Sequence, residues 1–167
     1  MADLYTIGLA KIEIGDIDPD GGMGTDLEQL GYTNQDSCSF TQEDPETTDF
    51  FAEELDDPVV SISRAGKTTF NFSVMNPDVT VLQKLLGGTI TGTGDAAIWN
   101  APSTIPVIEQ SVKITPKQGL VFSVPRMSIL AKINGQFSKT NIFVIDVVGT
   151  VLIPTDVSVS KISATKA

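Results

Sequence analysis

The stretch PVVSISRAGKTTFNFSVMNPDVTVLQKLLGG, residues 58–88, decides how the chain is read. Val60 and Ile62 alternate with Ser61 and Ser63, and Phe70, Phe72 and Val74 alternate with Thr69, Asn71 and Ser73, which is the period of half-buried strands. Cross-strand partners share a face. The pattern therefore places Val60 opposite Phe70 and Ile62 opposite Thr68, leaving Arg64, Ala65 and Gly66 as a three-residue loop with the glycine in its left-handed position. A helix is expected next, over about residues 77–86. Asn76 caps it, Pro77 suits the first helical position, Asp78 complements the positive end of the helix dipole, and Gly87-Gly88 stops it. Val79, Leu82, Leu85 and Leu86 fall on one stripe, so the helix is expected to pack on a sheet.

At 167 residues the chain is most naturally one domain, large enough to bury about two-thirds of its unfolded surface without a metal or disulfide. It has no histidine and one cysteine, Cys38, so an intramolecular disulfide is excluded and most metal-site and catalytic-triad readings lose their usual residues. The opening MADLYTIGLA lacks a basic and then apolar leader pattern, and no apolar run is long enough to span a bilayer. A chain neither exported by the general route nor seated in a membrane is expected. The net charge of -10 is unevenly spread: Asp16 to Asp57 holds 14 acidic residues and no Lys or Arg, whereas the chain from Pro58 onward has 5 acidic against 10 basic. Such a split fits a solvated acidic loop region, or unlike-charged surfaces of successive subunits that face each other. Binding nucleic acid through basic phosphate contacts is disfavoured at this charge.

Elsewhere the signals are mostly those of strands and loops. LAKIEI (residues 9–14) alternates and ends at Gly15. Asp16, Asp18, Asp20 and Gly21 match the opening of a calcium loop, but Leu27 stands where the bidentate Glu belongs and a proline interrupts the run, so an Asp-Gly turn is preferred to a metal site. A short strand is expected around Phe40. Glu43 to Asp57 reads as an acidic loop of about 15 residues, long enough to suggest function. Its apolar Phe50 and Phe51, beside Glu53 and Glu54, either anchor on their own domain or on a neighbouring subunit. Trp99, the single tryptophan, sits in a Gly- and Thr-rich connection and is either a packing residue or a subunit anchor.

From Pro106 the chain is a run of strands: Ile108 to Ile114, Leu120 to Val124, Met127 to Ile133, and the nearly continuous apolar stretch Ile142 to Ile153. That last stretch suggests a strand covered on both faces, with Gly149 as a bulge and Asp146 at a rim or paired with Lys132 or Lys113. Residues from 156 to 167 read as a flexible tail. About seven or eight strands and one helix give a mainly β fold, an antiparallel sandwich or barrel with one flanking α-helix and long loops. No acid, base and nucleophile set can be assembled, so an enzyme is not expected and no cofactor is implied.

The order of these segments resembles the major tail tube proteins of long-tailed bacteriophages, whose fold is related to the tube of the type VI secretion system. The likeness covers residues 1–155 and rests on the early strand ending at Gly15, the polar loop reaching FFAEELDDP, the hairpin around Arg64 to Lys67, the helix PDVTVLQKLLGG, the tryptophan loop, and the closing run KQGLVFSVPRMSILAKINGQ to NIFVIDVVGTVLIP. The resemblance implies a structural virion protein, made in the host cytoplasm, that forms hexameric rings stacked into a tube through which DNA passes without specific binding. Its partners would be further copies of itself and other tail proteins: tape measure, initiator and terminator. Carried to this chain, it makes Phe50, Phe51, Glu53 and Glu54 candidates for contacts between rings and puts Val79, Leu82 and Leu86 toward a subunit seam. A surface or secreted β-sandwich that binds carbohydrate or protein is the alternative.

Overall fold

The computed structural model describes residues 3–167. Its body is one antiparallel sheet built from β1 (Lys11–Gly15), β2 (Glu28–Gln29), β3 (Ser39–Gln42), β6 (Thr68–Val74), β9 (Ile108–Thr115), β10 (Leu120–Asn134), β11 (Val144–Val151) and β12 (Ser163–Lys166). The order across the sheet is β2-β1-β9-β10-β11-β6-β3, with β12 lying beside the first residues of β10. Between them in sequence lie β4 (Glu46–Phe51) and β5 (Pro58–Arg64), the helix α1 (Val79–Leu86), and the short pair β7 (Thr89–Thr91) and β8 (Ile98–Asn100). The fold is therefore mainly β with one flanking helix, as the alternation predicts.

The sheet curls around a single core. Alternate residues of each long strand point inward: Phe70, Phe72 and Val74 from β6, Ile145 and Val147 from β11, Met127 and Ile129 from β10, Val112 from β9, Ile12 and Ile14 from β1. Curling brings β3 toward the start of β10, where the Phe40 and Phe122 rings lie 5.5 Å apart and Phe40 meets Phe70 edge-on at 5.9 Å. One run of chain spans the remaining gap. Its first residues pair with β1 (Gln29 opposite Glu13), while further along Thr33 bridges Val74 and the Asn34 N–H donates to Ser73 O at 2.8 Å. Backbone groups at both open edges are thus satisfied by the same segment, which closes the sheet into a barrel.

α1 covers one end of the barrel. Leu85 is buried, and Val81, Leu82 and Leu86 pack half-buried against the core; the stripe read from the sequence holds for Leu82, Leu85 and Leu86, but Val81 rather than Val79 completes it. The cap differs: Asp78, not Asn76, accepts the Val81 N–H at 2.9 Å, while Asn76 Oδ1 accepts the Tyr32 N–H at 2.6 Å. Both residue types suit a cap, and tertiary demand from the closing segment decided between them.

Several other expectations are corrected. β5 does not pair with β6; its partner is β4, with Phe50 opposite Val60 and Thr48 opposite Ile62, so the expected acidic loop contains a strand. Gly66 is not in the left-handed region; it is small because a Cβ there would run into the backbone of Glu43. The two strands expected over Leu120–Val124 and Met127–Ile133 are one, β10, and the slip in the alternation is a bulge at Pro125 and Arg126. The bulge is held by Ser111, whose hydroxyl donates to Pro125 O at 2.7 Å, and by Arg126, which donates to both carboxylate oxygens of Glu109 at 2.9 and 3.0 Å. Lastly, β11 runs through Gly149 without a bulge, and the last residues, expected to be loose, carry β12.

Candidate assembly interface

β4 and β5 form an arm that leaves the barrel between β3 and β6. Its base is fixed by the Glu43 N–H donating to Lys67 O at 2.9 Å. Every residue of both strands is exposed. The register sorts the side chains by face, because paired residues share one: Phe50 with Val60 and Thr48 with Ile62 on one side, Asp49 with Ser61 and Thr47 with Ser63 on the other. The first face is an apolar stripe with nothing of its own chain upon it; Phe50 is 53% and Ile62 57% exposed. At the tip the Leu55 N–H donates to Ala52 O at 3.1 Å, closing a turn that displays Phe51 and Leu55 among Glu53, Glu54, Asp56 and Asp57, all exposed. The structure therefore gathers Phe50, Phe51, Glu53 and Glu54 on one projecting element.

The helix candidates lie elsewhere and are mostly engaged at home. Leu82 and Leu86 pack on the core, and Val79 is half-buried in the first turn. Trp99 does not join the arm either. Its indole N–H donates to Gly87 O at 2.8 Å, tying β8 to the C-terminal end of α1. Together with the segment 101–106 and the last part of β10 these residues border a groove of about 350 Å³, lined by Leu86, Trp99, Pro102, Ile105 and Ile133 among others and by no charged side chain. Ile105 is 84% exposed at its rim. Sequence reasoning passed over this groove. Its only signal is the apolar and proline-rich run after Trp99, which has no period to read.

A second opening, of about 840 Å³, lies at the barrel mouth over Phe40, Phe70 and Phe122, with Lys11, Tyr32, Asp36 and Lys117 around it. Cys38 lines it half-buried, and that burial pushes its thiol pKa up, away from a reactive thiolate.

The carboxylates of the calcium-like run are used locally. Asp18 Oδ1 accepts the Asp20 N–H at 3.2 Å, Asp20 Oδ1 accepts the Gly22 N–H at 2.8 Å, and Asp16 Oδ1 accepts from Gln110 Nε2 at 3.1 Å. Among the described residues no group of three or more His, Cys, Asp or Glu is placed to hold a metal ion. Asp146 faces outward on β11 and accepts from Ser73 Oγ at 2.5 Å and Asn134 Nδ2 at 2.6 Å, with Lys132 directly across on β10. The Ser73 hydrogen bond first, then Asn134 and the Lys132 charge, hold its carboxyl below the usual range against a smaller opposing effect of burial. Glu109 is likewise lowered by its hydrogen bonds to Arg126. Beside Asp146 the same outer face leaves Leu130 and its cross-strand partner Val148 exposed, so the strand expected to be covered on both sides is covered on one by its own chain.

No protein-family model matches the chain, and no curated protein matches it. Among the described residues no helix is long and apolar enough to cross a membrane.

Proposed function

We propose that this protein is a self-assembling structural subunit whose copies join into rings stacked as a tube, in the manner of the phage tail tube proteins it resembles. The observation that carries this reading is the arm: a two-stranded ribbon, exposed on both faces, with an unaccompanied apolar stripe along one of them. A two-stranded hairpin alone is only marginally stable in water, so such an element fits a chain that finishes its packing on a neighbour. The uncovered Leu130–Val148 pair fits the same reading. Unlike-charged regions suit head-to-tail contacts, which close into rings when the rotation closes and extend when it does not. On this reading the tube conducts DNA without phosphate-binding sites, in keeping with the net charge of -10, and tape-measure, initiator and terminator proteins meet its ends in the virion.

The test is electron microscopy with light scattering on the purified chain, alone and with a tail initiator. Rings or tubes are expected. Phe51→Asp, at an exposed site, should keep the fold and impair polymerisation. A strict monomer at every concentration, even with the initiator, would refute the reading. The alternative, a surface module that binds carbohydrate or protein, draws on the barrel mouth with Tyr32 at its rim; glycan-array binding by a monomer would favour it.

A further inference from the structure

The apolar face of the arm and the apolar groove both lack cover, and the fold sets them at opposite ends of one strand. β6 receives the chain from the arm before Thr68 and delivers it toward α1 after Val74, so arm and groove are separated by the length of seven residues, about 20 Å at the usual rise of a strand. The arm leaves at the end of β6 remote from the groove. A second copy in the same orientation, displaced along β6, presents its arm to that end of the first.

Resting on the self-assembly reading, the geometry points to the groove between α1, Trp99, the segment 101–106 and the end of β10 as the receptor for the arm of the next copy, with Phe50, Val60 and Ile62 as the inserted face. Shape and polarity agree: a narrow ribbon with an apolar stripe meets a groove walled mostly by apolar side chains, with Ser103 and Thr104 the polar members. Charge agrees as well. Glu46, Asp49, Glu53, Glu54, Asp56 and Asp57 make the arm strongly acidic against the single Arg64, whereas the groove has no carboxylate in its wall; the lysines that flank its lining segments, Lys84 and Lys132, already face Glu28 and Asp146, so what the groove offers is the absence of like charge. The barrel mouth fits the arm's apolar stripe less well, since Gln29, Asn34, Gln35, Asp36 and Lys117 give it a more polar wall.

The contact is heterologous, because arm and groove are different surfaces, and this gives it a distinctive test. Ile62→Asp disables the arm and Ile105→Asp disables the groove; both positions are exposed, so each variant should retain the wild-type circular dichroism and melting temperature. Each alone should stop at the smallest unit, one subunit or one ring. An equimolar mixture should recover a single layer of contacts, pairing intact arms with intact grooves, and grow no further; light scattering would show a doubling of mass. Emission of Trp99, the only tryptophan, should shift to the blue in wild type and in the mixture but in neither variant alone. If either aspartate variant unfolds, Ile62→Cys mixed with Ile105→Cys in a Cys38→Ser background replaces it, and a disulfide joining the two variants is the expected product.

Ile105→Asp assembling like wild type while Ile62→Asp fails would overturn the groove as receptor and leave self-assembly standing. Full-length tubes from the mixture, or no cross-link, would also overturn it. A wild-type chain that never assembles would overturn both readings.

Discussion

Replacing Gly149 with alanine probes a close internal contact of the barrel. Gly149 is buried in β11, opposite Ile129 on β10 and Phe70 on β6. A Cβ there would fall 2.9 Å from Cγ of Met127, closer still to its sulfur, and 3.4 Å from Phe70 O. Two effects oppose each other. Alanine restricts the unfolded chain, which stabilises by about 0.4–1 kcal/mol where the backbone accepts it, and a strand does. Forcing a methyl group into a packed core costs about 1–3 kcal/mol. Met127 is flexible, but it is fully buried against Phe70 and Ile129 in the same core, so its thioether cannot swing into solvent and the steric cost wins. The net loss should be about 0.5–2 kcal/mol, a fall in Tm of about 2–6 °C for a domain of this size. Calorimetry on Gly149→Ala, Met127→Ala and the double variant gives the assay. Met127→Ala alone should cost about 2–5 kcal/mol, and in its background the added methyl should become neutral or stabilising. Equal destabilisation in both backgrounds, or a raised Tm in the wild-type background, would refute the contact as the reason for glycine.

Asp146→Asn should lower stability at pH 6 and cease to do so in strong acid. A carboxyl held below its ordinary pKa in the folded state contributes stability that is present above the unfolded value and is lost as pH falls through the folded one; urea titrations should therefore separate mutant from wild type at pH 6 and bring them together well below pH 4. Asp78→Ala should cost about 1 kcal/mol through the lost cap, whereas Asn76→Ala should leave the helix intact and loosen the closing segment, seen as faster amide exchange at Tyr32.

The inward faces of the barrel were legible because period-two alternation reports burial directly: β1, β6 and β9 lie where it places them, whereas β11 was marked by a continuous apolar run that did not tell its inner face from its outer one. Alternation does not say what covers a face. Val60 and Ile62 carry the signature of a half-buried strand, yet β5 is exposed throughout, and its partner β4 was hidden because Glu46 to Asp49 has no apolar residue to reveal a period. Local pairing with β6 was the natural inference, and it fails because the outer edge of β6 is taken by β3 and Thr33. Gly149 illustrates the converse limit. A strand glycine signals either a bulge or a close approach, and only the position of Met127 in space decides between them. Of the proposed assembly surface, the arm was marked by aromatics within an acidic run; the groove was not marked, because it is made by segments with no common period.

The charge of the arm bears on which kind of assembly it permits. Two arms could in principle bury their apolar stripes against each other and close a symmetric dimer, which would end growth. That arrangement would set Glu46, Asp49, Glu53, Glu54, Asp56 and Asp57 of one copy beside the same residues of the other, with only Arg64 from each to offset them. The exposed edges of β4 and β5 face the same repulsion, which discourages open-ended pairing of strand to strand between arms. A surface of different composition on another part of the molecule escapes both penalties. On the proposed reading, the arm's carboxylates turn an adhesive ribbon away from its own kind, so that the contact left to it is directional and each copy joined would expose the next site.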